Sequence, residues 1–162
     1  MRADEAPTTM RIVVFRAAAA TSIAMLGRTP AQDFTVNAAA FALAFCVLIG
    51  FAVLFQLALA AGAPWGEAAM GGRFPGRLPA PMRVAAVVQA AILLLLAGIV
   101  LVRSELLASP WYPVSTRAIW FVVAFSALAA VLNVATPSKW ERRIWAPVTV
   151  ALLGCSLAVA LS

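Results

Sequence analysis

The residues able to do chemistry in this 162-residue chain are few and gathered in two stretches. One is GAPWGEAAMGGRFPGRLPAPMR, Gly62 to Arg83, with five glycines, four prolines, Glu67, Arg73, Arg77 and Arg83. The other is ATPSKWERRIWAP, Ala135 to Pro147, with Lys139, Glu141, Arg142 and Arg143. Glycine lets a backbone approach a ligand closely, and arginine takes phosphate in a two-pronged grip. Glu67, Arg73, Arg77, Arg83, Lys139, Glu141, Arg142 and Arg143 therefore form a candidate site for an anionic lipid headgroup or an acidic partner protein. A second use is acid–base work on a headgroup by Glu67 or Glu141, although solvated ion pairs account for two loop carboxylates more simply.

Several chemistries are excluded or disfavoured. The chain has no histidine, which removes histidine-ligated haem, zinc and copper. Cys46 and Cys155 form no CxxC and no disulfide framework, and they are expected to be unpaired packing residues. The first stretch lacks the GK[ST] ending of a phosphate-binding loop, and no strand precedes it as a dinucleotide fingerprint requires. No cofactor is expected. The net charge of +6 comes without a basic run or an aromatic-interleaved basic patch, so nucleic acid is not an expected partner.

What positions these residues is legible from the gaps between charges. Hydrophobic residues make up 64% of the chain and charged residues 11%, less than half the roughly 25% of a soluble domain. Apolar runs cover about 38–61, 84–102, 118–135 and 144–161. Each is close to the roughly 20 residues that cross a bilayer as a helix. Only helices satisfy their own backbone in lipid as single open segments. The expected fold is all-α, an integral membrane four-helix bundle over 36–162. The preceding 1–35 segment is expected to be non-spanning, since its apolar stretch is only about ten residues long. All five tryptophans, Trp65, Trp111, Trp120, Trp140 and Trp145, fall near span ends, as indole at the headgroup level would.

Four spans place the two basic stretches on one side. Basic residues near the span ends favour the cytoplasm for 62–83 and 136–143, with both termini outside and the cell (inner or plasma) membrane as the location.

Within the spans, Ala38, Ala42, Cys46 and Gly50 recur every four residues, as do Ser126 with Ala130 and Gly154 with Ala158. Such stripes allow close helix contact. Gln56, Gln89, Asn133 and Thr149 lie a few residues inside the boundary nearest the basic stretches. They are expected to turn inward and bond across helices, or to line a polar vestibule. Ser138 three residues before Glu141 reads as a capping box opening the last helix. Pro147 is expected in its early turns. Ala80-Pro81 and Ala146-Pro147 hint at a duplicated hairpin.

The segments GAPWGEAAMGGRFPGRLPAPMR and NVATPSKWERRIWAPV resemble a group of small, uncharacterised four-span bacterial membrane proteins. The resemblance covers about 36–162 and implies the four-span fold and basic cytoplasmic loops, with no activity or cofactor. The function expected is a non-enzymatic membrane component that binds a partner protein or anionic lipid through its loops. The alternatives are a subunit of an oligomeric transporter or channel, homo-oligomerisation being open, and a headgroup enzyme. No mid-span charge exists to drive proton coupling.

Overall fold

A computed structural model describes residues 30–162, with side chains from residue 37 onward. The expectation of a non-spanning N-terminal segment falls mainly outside the described residues. Four α-helices and no strand are found among them: α1 Pro30–Ala61, α2 Ala80–Arg103, α3 Tyr112–Ala135 and α4 Lys139–Leu161. From Asn37 onward, all four are long and apolar enough to cross a membrane. The chain is an all-α, multi-pass membrane protein.

The lengths follow from local chemistry. The first span ends in a Schellman motif. Gly62 takes φ +99°, its N–H donates to the Leu59 carbonyl, and the Ala63 N–H donates to the Ala58 carbonyl. A Cβ would oppose that left-handed conformation, so glycine is the residue for it. Arg83 then covers another terminal carbonyl, its Nε donating to Ala60 O at 2.7 Å. Helices α2 and α3 both open with proline in the first turn, where the missing N–H costs nothing. Helix α4 opens at Ser138, whose hydroxyl accepts from the Glu141 N–H at 3.2 Å.

That cap realises half of a capping box. The Glu141 carboxylate does not return to the cap residue; it accepts the Thr136 hydroxyl at 2.6 Å. Pro147 sits inside α4, as its ninth residue and beyond the first turn, so its missing N–H leaves the Arg143 carbonyl without its helical partner. Ala80-Pro81 begins α2 while Ala146-Pro147 lies in the third turn of α4. The two dipeptides are therefore not structural counterparts.

The core is built on Phe45, Ile49, Leu96, Val100, Ile119, Val122, Leu152 and Val159, all buried. Large apolar side chains on the outer faces, among them Val47, Leu54, Leu95, Phe121, Val131 and Leu161, are exposed in the isolated chain. In a bilayer those faces meet lipid, which is why the spans are hydrophobic all round. Among α2, α3 and α4 the most extensive pairing is α3 with α4.

The small-residue stripes only partly mark contacts. Ala38, Ala42, Ser126 and Ala130 are buried, and so is Ser156, which the spacing did not single out. A Cβ added at Gly50 or Gly154 would meet nothing within 4 Å. Those two glycines are not points of close helix approach within one copy of the chain. Cys46 and Cys155 are free and half-buried.

Candidate functional site

The connector between α1 and α2, residues 62–79, is a folded cap on the bundle. It makes two short 3₁₀ turns, Gly66–Ala68 and Met70–Gly72. Its centre is Gly66, buried, whose N–H donates to Gly76 O at 2.9 Å. A Cβ at Gly66 would stand 1.9 Å from the Phe74 carbonyl oxygen. Leu59, Ala69, Leu78 and Ala86 form a small buried cluster beneath the connector.

This cap is fastened to α4 by two hydrogen bonds. Ser138 Oγ donates to the Glu67 carbonyl at 2.6 Å, and Trp145 Nε1 donates to the Ala68 carbonyl at 2.9 Å. Trp145 is not the interfacial anchor its position near a span end suggests. It is 8% exposed, and its ring packs against Phe55 and Phe51 at centroid separations of 4.8 and 5.5 Å. The other four tryptophans are exposed, and Trp65 stacks on Phe55.

Below the cap, all four helices line one cavity of about 240 Å³. Gln56, Gln89, Asn133 and Thr149 all border it, with Glu141, Ser126 and the cap residues Ala68–Met70. Its apolar wall includes Phe45, Ile49, Leu93, Leu96, Phe125 and Leu152. The four polar side chains therefore share a space, but they do not bond across helices as expected. Asn133 Nδ2 donates to Ala129 O at 2.8 Å in its own helix. The Thr149 hydroxyl donates to Trp145 O at 2.7 Å. Gln56 Oε1 is buried without a partner, and Gln89 is exposed. A carbonyl one turn back on the same helix is always within reach, whereas a partner on another helix depends on packing distance.

The charged candidates divide. Lys139, Arg142 and Arg143 lie exposed together on the first turns of α4. The Arg142 guanidinium donates to Thr136 O through Nη2 at 2.7 Å and Nε at 3.3 Å. Glu67, Arg73 and Arg77 are exposed on the cap, and Arg83 is held by Ala60 O. Glu67 meets the connector between α3 and α4 through its backbone carbonyl, which accepts from Ser138 Oγ. Glu141, read from sequence as part of the surface anion site, also borders the cavity. No group of three or more His, Cys, Asp or Glu that could hold a metal occurs among the described residues.

The aromatic and aliphatic wall was missed in the sequence, yet a signal existed. Phe45, Ile49, Ala52 and Gln56 of α1, Gln89, Leu93 and Leu96 of α2, Ser126, Ala129 and Asn133 of α3, and Glu141, Trp145, Val148 and Leu152 of α4 each follow three-and-four spacing. That spacing puts each set on one helix face. In four spans apolar on every side, however, no contrast marks that face as the inner one.

Among the described residues, fold and site together define a membrane protein with four spans, a cavity between them beneath the cap, and a basic rim. Comparison with protein-family models, curated proteins and solved structures yields no match to the chain.

Proposed function

We propose that this protein is a non-enzymatic membrane component that holds an anionic lipid headgroup at the face formed by its cap and the start of α4. The observation that carries this reading is the cluster of Lys139, Arg142 and Arg143, all exposed on the first turns of α4. The three cations occupy the opening turns of α4, where the unpaired N–H groups already carry partial positive charge. Glu141 is the one acidic residue there, and its carboxylate is engaged by Thr136. Cations so placed repel one another and the helix terminus, and a phosphate would relieve both. Arg73 and Arg77 stand exposed on the cap that Ser138 ties to the same helix terminus.

Changing Arg73, Arg77, Arg142 and Arg143 together to glutamine is expected to cut the anionic lipid co-purifying with the protein several-fold, as measured by lipid mass spectrometry. Unchanged retention by a folded variant would reduce the face to a connector. On the same reading this face is cytoplasmic. A cysteine at Gly76 is expected to react with a membrane-impermeant thiol reagent only in inverted vesicles. Labelling from the outside of intact cells would reverse the orientation and leave the four spans standing.

A further inference from the structure

We propose that the cavity under the cap takes one acyl chain of a membrane lipid, which enters sideways from the leaflet on the cap side. The argument begins with where the cavity opens. Of the residues lining it, only Gln89, Leu128 and Leu132 are exposed; the others are buried or half-buried. Gln89 belongs to α2, and Leu128 and Leu132 belong to α3. The mouth therefore lies between these two helices, with Leu128 and Leu132 58% and 60% exposed on its lip. Both helices are long and apolar enough to span, and all three residues lie inside the apolar runs. The mouth therefore faces lipid, and a ligand reaches it through the bilayer.

The wall is graded along the bundle. Gln56, Gln89, Asn133 and Glu141 edge the end beside the cap. Phe45, Leu96, Phe125 and Leu152 wall the far end. Between them the Thr149 hydroxyl is turned to Trp145 O, and Ser126 adds one small hydroxyl. Gln89 to Leu96 is seven residues and Phe45 to Gln56 is eleven, roughly 10–17 Å of helix. That is about half of the ~30 Å hydrocarbon core, the depth of one leaflet. A lipid of the cap-side leaflet has the same profile, with ester groups near the surface and chains running toward the midplane. Amides carry donors and acceptors alike, so the upper end accepts ester oxygens or water without choosing a head charge. The Gln89 amide, exposed at the mouth, gains in an ester the partner that bare hydrocarbon lacks. At about 240 Å³ the space falls below the ~300–1,000 Å³ of drug-sized pockets. It holds one chain, and the rest of the lipid stays outside.

The test places the full-length protein in lipid nanodiscs containing a zwitterionic phospholipid with a photoreactive diazirine at mid-chain. Adducts are mapped by peptide mass spectrometry. Phe45, Ile49, Leu96 and Leu152 line the cavity and are at most 7% exposed, so lipid around the bundle does not touch them. Adducts on these inner residues are expected, beside adducts on Leu95 and Val131 of the outer faces, which report the surrounding lipid. Ala129→Phe, which fills the space from α3, is expected to abolish the inner adducts and keep the outer ones. Val131→Phe, on the outer face of the same helix, is expected to keep both. A probe with the diazirine on its head is expected to leave the inner residues unlabelled, a result that depends on no variant. Adducts confined to outer-face residues with the mid-chain probe overturn the proposal. Inner labelling of wild-type yield in folded Ala129→Phe, or equal inner labelling by the head probe, also overturns it. The probe carries no net charge, so the outcome does not depend on the anionic-lipid reading of the rim, and either can fail alone.

Discussion

Gly66→Ala is expected to destabilise the protein by roughly 3 kcal/mol or more, in the range reserved for forced overlap in a packed site. The new Cβ would lie 1.9 Å from the Phe74 carbonyl oxygen and 2.9 Å from that of Gly76. Both are backbone atoms, so no side-chain rotation relieves the clash. The connector must open, and with it go the Gly66–Gly76 hydrogen bond and the seat of Ala68 on Trp145. Thermal unfolding in detergent, followed by circular dichroism, measures the loss. Limited proteolysis should show new cleavage between Gly62 and Pro79 at temperatures where the helices persist. Gly98→Ala is the control, since its Cβ would meet nothing within 4 Å. It should be neutral or stabilising by up to about 1 kcal/mol. Equal melting of Gly66→Ala and wild type would mean that Phe74 does not lie over Gly66.

Trp145→Ala is the second large change, expected to cost about 3–5 kcal/mol. The indole is nearly buried, packs on Phe51 and Phe55, and supplies the donor for Ala68 O. Trp145→Phe separates these contributions. It retains much of the ring packing and removes the donor, so its cost should be about 1–2 kcal/mol, the penalty of an unsatisfied carbonyl. The two melting curves, with the proteolysis pattern of the cap, check the split. If both variants cost the same, the hydrogen bond dominates and the packing contributes little.

The four helices were legible because the bilayer imposes one rule: charges leave the hydrocarbon, so gaps between charges mark the spans. Ser138 as the helix cap was legible for the same local reason, its hydroxyl lying three residues before Glu141. The failures are all non-local. Trp145 looks like an interface anchor by distance along the chain, and only the return of the connector over it turns it into a core residue. Gly66 is indistinguishable in sequence from the other four glycines of its stretch. Its role depends on Phe74 and Gly76 folding back onto it. Gln56, Gln89, Asn133 and Thr149 could be assigned to one depth of the membrane, because rise per residue fixes depth. Their partners could not be assigned, since side-chain rotation chooses between a carbonyl of the same helix and a neighbour across the bundle. The cavity itself is the space left by four faces that no hydrophobic contrast distinguishes.

The bonds that fasten the cap have a consequence for synthesis. Glu67 and Ala68 belong to the first connector made, and their fasteners, Ser138 and Trp145, lie 71 and 77 residues further along the chain. At ribosomal speed those distances take roughly 4–15 s. Throughout this interval the first two helices can be inserted with Glu67 O and Ala68 O still lacking their final donors. The cap therefore acquires these two bonds only when the fourth helix arrives. A chain truncated before residue 138 would carry the glycine-rich connector unfastened, presenting a quality-control protease with a substrate that the finished protein withdraws.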